Sequence, residues 1–228
     1  MIVVTARPSR FLREIDGLDL HGIAVCANGA MVVDLDTLKP VTASILPKDA
    51  ALDIVQVLRR MIPGITFAVE TLEWFGHEPA YRPEWPAPEG SPKAAVETLV
   101  TDGVIKLLGR HPEIHVSRLD EISDAVGRLA SVTCSTHSGL LEIGPAGVTK
   151  ASALADVVQS LGQSADQVIA IGDMPNDLPM LRWARISAAV ANAHPDLLAF
   201  ADHVVPSNDD DGVAHLLERL FAAHTPSG

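Results

Sequence analysis

Short apolar runs alternate with polar, turn-forming stretches from the first residues of the chain. Ile2-Val3-Val4 is rich in β-branched side chains, and Thr5-Ala6-Arg7-Pro8 breaks the run, so residues 2–5 read as a strand. Pro8 suits a first helical turn, and Phe11, Leu12 and Ile15 recur at helical spacing. Ile23–Ala27 reads as a second strand, closed by the turn signal Asn28-Gly29, and Ala30–Asp34 as a third. Ala50–Met61 places Leu52, Val55, Leu58 and Met61 on one helical side, and Ile65–Glu70 alternates like a strand. Residues 76–93 are rich in Pro, Gly and aromatics and predict a long loop or hairpin excursion. Val104–Leu108 and Ile114–Val116 predict strands, and Asp120–Leu129 a helix. Val132–Ser135 and Leu140–Ile143 predict a hairpin around His137-Ser138-Gly139.

Beyond Gly147 the alternation is strict. Lys150–Leu161 predicts a helix with Leu154, Val157, Val158 and Leu161 on one face. Val168–Ile171 is a continuous apolar run, as a strand of a parallel sheet requires. Leu178–Trp183, Pro195–Phe200 and Gly212–Ala222 predict helices, and Ile186–Val190 and Val204–Val205 strands. The pattern is an α/β frame into which a strand-rich α+β unit is inserted.

Composition narrows the function classes. The chain has 228 residues, enough for one large or two smaller domains, with 47% hydrophobic and 20% charged positions. Its net charge of −12 argues against nucleic acid or an anionic membrane as partner. No apolar run approaches the ~18 residues of a membrane span. Two cysteines, Cys26 and Cys134, each sit in an apolar stretch, which fits a reducing compartment, and no secretory leader pattern opens the chain. A cytoplasmic protein is the expectation. Nine histidines invite a zinc reading, but Pro112 argues against a shared helical face for His111 and His115.

The richest stretch in chemistry is Gly172-Asp173-Met174-Pro175-Asn176-Asp177. It follows an apolar strand, and parallel sheets bind ligands at the carboxyl ends of their strands. Two carboxylates there suit a hard, oxygen-seeking cation, above all Mg²⁺. They also suit a plain structural role, with Asp173 capping a helix and Asp177 in its first turn. Lys150, after Gly147-Val148-Thr149, opens a helix and could reach a phosphate, or could be a solvated surface lysine. Thr5, at a strand end, offers a hydroxyl beside free backbone N–H groups, or is an ordinary turn residue.

In combination these segments resemble the haloacid dehalogenase-like (HAD) hydrolases, most closely the Cof-type, class IIB branch. Val4-Thr5-Ala6-Arg7-Pro8 is similar to the second motif of that family and Cys26-Ala27-Asn28-Gly29-Ala30 to the turn that follows it. Residues 147–154 are similar to the third motif and residues 172–181 to the fourth. The tail, from Ala191-Asn192-Ala193-His194-Pro195 through Ser207 to Ala214, matches the end of the branch. The resemblance implies a Rossmann-like parallel-sheet core formed by residues 1–45 and 147–228. Residues 46–146 would be an α+β cap that selects the substrate. It further implies a Mg²⁺-dependent phosphomonoester hydrolase acting on a small phosphorylated metabolite such as a sugar phosphate. Thr5 and Lys150 would hold phosphate, and Asp173 would hold the metal. Asp177 would support the metal or orient Lys150. Ala6, Arg7, Asn28 and Asn176 would line the pocket. From the cap, His137, Ser135 and Trp74 or Trp85 could face the substrate.

The family's first motif, Asp-x-Asp-Gly-Thr, carries the nucleophile that forms an aspartyl-phosphate and the acid that protonates the leaving group. The similar stretch here, Asp34-Leu35-Asp36-Thr37, lacks the glycine, follows the second motif instead of preceding it, and reads as an Asp-rich hairpin turn. The expectation is a chain short of its first core strand, with the nucleophile upstream. Strand exchange or a homodimer could cover that gap. The alternatives are an inactive phosphate-ligand-binding protein and a phosphomutase-type phosphotransferase.

Overall fold

The computed structural model describes residues 1–14, 20–134 and 139–222. It divides into two compact units, Met1–Ala153 and Leu154–Gly228.

The first unit holds two sheets. Strands β1 (Ile2–Val4), β2 (Ile23–Cys26), β3 (Met31–Asp34) and β4 (Lys39–Ala43) lie in that order. β1 runs parallel to β2, with Ile2 beside Ile23, and the other neighbours are antiparallel. The β2–β3 turn is Ala27-Asn28-Gly29, where Ala27 and Asn28 both take left-handed φ values of 51° and 57°. Ala24, Cys26, Met31 and Val33 bury one face of this sheet with Leu12. That burial pushes the Cys26 thiol up to about 12, so it behaves as a small apolar side chain.

Next come α1 (Lys48–Met61), β5 (Thr66–Thr71), β6 (Phe75–His77), α2 (Val96–Leu99), β7 (Val104–Arg110), α3 (Leu119–Val126), β8 (Ala130–Thr133) and β9 (Leu140–Pro145). Their strands form an antiparallel sheet of order β6-β5-β7-β9-β8. Period-two alternation gives it two unlike faces. Phe67, Val69, Leu107, Leu141 and Ile143 pack against Ile54, Val55 and Leu58 of α1 and Ile122 and Val126 of α3. Glu70, Lys106 and Glu142 belong to the opposite face, and all three are nonetheless buried. β7 carries one extra residue, Ile105, between the pairs Glu70–Lys106 and Thr71–Val104. This bulge turns Ile105 into the core of the four-stranded sheet.

The first unit closes with the start of α4 (Lys150–Ser160). The second unit is a βα alternation: β10 (Ile169–Gly172), α5 (Leu178–Trp183), β11 (Ile186–Val190), α6 (Pro195–Phe200), β12 (His203–Val205) and α7 (Gly212–Ala222). Its three strands are parallel, with Ile169 beside Ile186 and Ala188 beside His203. No described helix is long and apolar enough to cross a membrane.

Three local expectations change. Residues 114–116 form no strand. After Pro112 the chain turns, with the Ile114 amide donating to the His111 carbonyl at 3.1 Å, and Val116–Arg118 is one turn of 3₁₀ helix. Ile114 is apolar because it plugs the core from that turn. The helix after Pro8 is a short 3₁₀ segment, Ser9–Glu14, and Ile15 lies outside the described residues. β4 was not predicted: all five of its residues are exposed, so no apolar alternation marks it.

Candidate functional site

In the first unit the second-motif loop is laced to the Asn-Gly turn. The Thr5 amide donates to the Val25 carbonyl at 2.8 Å, extending the β1–β2 ladder by one bond. The Asn28 amide donates to the Thr5 carbonyl at 3.2 Å, and the Ala27 amide to the Arg7 carbonyl at 2.9 Å. The Arg7 amide in turn donates to Thr5 Oγ1 at 3.1 Å. Asn28 extends its Nδ2 to Thr133 Oγ1 on β8, 3.2 Å away.

Lys150 joins this cluster through the turn. Gly29 has φ +105°, and a Cβ there would collide with the Thr149 carbonyl oxygen and stand 2.8 Å from its carbon. Thr149 caps α4. Its Oγ1 accepts from the Ser152 amide at 3.1 Å, while the Thr149 amide donates to Ser152 Oγ at 2.9 Å. Lys150 is therefore the first residue of a capped helix, beside the turn that carries Asn28, and it is buried. A buried lysine is uncommon, and such a lysine is held by charged or polar groups. Thr5, Ala6, Arg7, Asn28 and Lys150 thus lie in one region of the first unit. His137 and Ser135 lie outside the described residues.

In the second unit the fourth motif leaves the carboxyl end of β10. Asp177 is buried, and its Oδ2 accepts from the amides of Asp173 and Met174, both at 3.1 Å. Gly172 makes room for it: a Cβ on Gly172 would stand 2.5 Å from Asp177 Cβ. The Asp173 carbonyl accepts from the His194 amide at 2.8 Å, which brings the loop after β11 beside the loop after β10. Asn192, in that same loop, pairs with Asn208 after β12. All three strands thus deliver their site loops at one edge, as a parallel sheet does.

The donor set fits magnesium in kind. Asp173, Asn176 and Asp177 offer only hard oxygen ligands from side chains, and Mg²⁺ commonly takes one or two carboxylates and fills its remaining positions with water and substrate phosphate. No group of three or more His, Cys, Asp or Glu side chains suited to a metal occurs among the described residues. Of the two carboxylates, Asp173 is the exposed one, while Asp177 turns one oxygen onto its own loop. Asp177→Ala is expected to cost about 2 kcal/mol by stranding two loop amides. Urea unfolding, with amide exchange at Met174, measures both effects.

The Asp34–Thr37 stretch is a turn. Asp34 Oδ1 accepts from the Thr37 amide and hydroxyl, each at 2.8 Å, and Leu38 follows at φ 54°.

Sequence reasoning missed the charged face of the five-stranded sheet. Arg10 clamps Glu70 through Nε at 3.0 Å and Nη2 at 3.1 Å, and Lys106 pairs with Glu142. Glu70 and Lys106 are direct cross-strand partners. The polar alternation of β5, β7 and β9 carried the signal, but surface positions give the same pattern. Burial pushes the Glu70 carboxyl above its ordinary value, against the opposing pull of Arg10 and Lys106. A carboxyl whose folded pKa exceeds its unfolded one adds stability below the unfolded value and loses it as pH rises through the folded value. Glu70→Gln is expected to flatten that decline, read as the slope of Tm against pH across the same window.

Comparison with known proteins agrees with this architecture. Residues 1–217 match the family model for haloacid dehalogenase-like hydrolases. The stress response protein YhaX of Bacillus subtilis (strain 168) is 42% identical over 88 residues, covering 39% of this chain and 31% of YhaX. The 5-amino-6-(5-phospho-D-ribitylamino)uracil phosphatase YcsE of the same organism is 38% identical over 74 residues, covering 32% of this chain and 30% of YcsE. The matched part therefore spans less than a third of the length of either relative. Among solved structures, the HAD subclass IIB sugar phosphatase BT4131 superposes with a TM-score of 0.77 at 18% identity, covering 96% of this chain and 84% of that one. With a family match across nearly all of its length, the chain belongs to the haloacid dehalogenase-like hydrolases and has the fold of their class IIB members.

Proposed function

We propose that this chain is the phosphate- and metal-binding body of a phosphomonoester hydrolase acting on a small phosphorylated metabolite such as a sugar phosphate. The observation that carries the reading is the buried Lys150 at a capped helix start, set beside the turn that hydrogen-bonds to Thr5. Lys150 supplies a positive charge and Thr5 a hydroxyl donor to the phosphoryl oxygens, and Asn28 lines the same region. Asp173 holds Mg²⁺, with Asp177 fixing the loop that presents it and Asn176 beside them. Residues 46–146, one contiguous sheet with its helices, serve as the substrate-selecting cap.

The family's Asp-x-Asp-Gly-Thr pattern does not occur in this sequence, and the nucleophile and the acid are assigned to none of its residues. β1 stands first in its sheet's strand order, and among the described residues β2 is the strand it pairs with. The Asp34–Asp36 stretch is committed to a turn and is assigned no catalytic part.

The test is a titration of inorganic phosphate into the chain with Mg²⁺ present, followed calorimetrically, beside an assay of phosphomonoester hydrolysis. Saturable binding is expected, weakened about a hundredfold in Lys150→Met, which removes the charge along with its hydrogen bonds. Turnover is expected only when an Asp-x-Asp segment precedes β1. Binding without turnover in that extended form would favour a phosphate-ligand-binding protein instead. An absence of phosphate binding by the parent chain would defeat the reading.

A further inference from the structure

We infer that Lys106, on the five-stranded sheet, is a positioning residue for the Thr5 hydroxyl, acting through the peptide unit between Ala6 and Arg7. The inference rests on the phosphate-binding role proposed for Thr5. Lys106 Nζ donates to the Ala6 carbonyl at 2.7 Å. The amide on the other side of that same peptide unit, Arg7 N–H, donates to Thr5 Oγ1 at 3.1 Å. A peptide unit is planar, and in its trans form the carbonyl and the N–H point opposite ways. Fixing the carbonyl therefore fixes the direction of the N–H. An oxygen that accepts from the Arg7 amide keeps its own proton for a different acceptor. Lys106 thus sets Thr5 as a donor aimed away from its own loop, the polarity that an anion requires.

The lysine is itself held rigidly. It is 3% exposed, pairs with Glu142, and stands opposite Glu70, which Arg10 clamps. A pair needed only to neutralise charge on its own sheet face would be complete with the carboxylate. The ammonium instead gives a further donor to a backbone carbonyl one residue from Thr5. Nothing in the sequence of β7 separates this lysine from a surface lysine, because its role appears only when the chain brings residues 6 and 106 together.

The experiment is a double-mutant cycle on inorganic phosphate affinity with Mg²⁺ present. It compares the parent chain, Thr5→Val, Lys106→Met/Glu142→Leu, and the triple variant. Removing Glu142 with Lys106 avoids leaving a buried charge unpaired, so the variant folds. Thr5→Val is expected to weaken phosphate binding about tenfold in the parent. In the Lys106→Met/Glu142→Leu background the same change should cost little, because the hydroxyl is no longer aimed. Amide exchange at Arg7 should rise in that background even without phosphate. Equal losses in both backgrounds, or an Arg7 amide as protected as in the parent, would overturn the positioning role and leave Lys106 as a packing partner of Glu142. If the parent binds no phosphate, the functional reading falls separately, and the Arg7 exchange rate alone decides whether Lys106 orders the loop.

Discussion

Gly29→Ala is expected to lower stability by about 3 kcal/mol or more and to take phosphate binding with it. Two penalties add. Alanine at φ +105° is strained, a cost of roughly 1–3 kcal/mol. The new methyl would also collide with the Thr149 carbonyl, which already accepts the first hydrogen bond of α4 from the Ala153 amide. Backbone on both sides leaves nothing soft to yield, so either the turn opens or the helix start moves. Gly147→Ala separates the two penalties. It too has positive φ, at +74°, but its Cβ would meet nothing within 4 Å, so it should show the strain alone. Urea unfolding of both variants gives the comparison. Equal losses would mean that the turn and the helix start are not in contact.

Lys106→Met is expected to cost about 3–5 kcal/mol, since it leaves the Glu142 carboxylate buried opposite an apolar chain. Lys106→Met/Glu142→Leu should recover most of that loss, because buried ion pairs replaced together by apolar groups are often neutral or stabilising. Chemical denaturation of the single and double variants, at one pH near neutrality, reads the difference. A single variant losing under about 1 kcal/mol would place the pair in solvent, where exposed ion pairs contribute that little.

The legible parts of the fold were those in which one element carries its own signal. The repeats in α1 and α4 announce themselves because burial on one face writes a period into the chain. The fourth-motif loop was legible for a different reason, as acidic and turn-forming residues crowd the end of a parallel strand. β4 was silent because a wholly exposed strand is held by its neighbour's ladder and needs no apolar pattern. Ile114 misled because a core-plugging turn and a short strand both require an apolar residue. The Arg10–Glu70 and Lys106–Glu142 pairs were invisible for a third reason. Partners 60 and 36 residues apart meet only in the folded chain, and the sequence marks neither member as buried. Thr5, Asn28 and Lys150 were each ambiguous alone, and it is the Gly29 contact that puts them in one place.

Every strand of the first two sheets precedes residue 146. A ribosome making this chain from its amino end therefore releases every strand of both ladders before any strand of the second unit emerges. Domains of multidomain chains generally fold in that order during synthesis. The nascent first unit would then spend the time needed to make the remaining residues with its hydrophobic clusters already closed. That interval shields the apolar strands β5, β7 and β9 from the chaperones and neighbouring nascent chains that would otherwise compete for them.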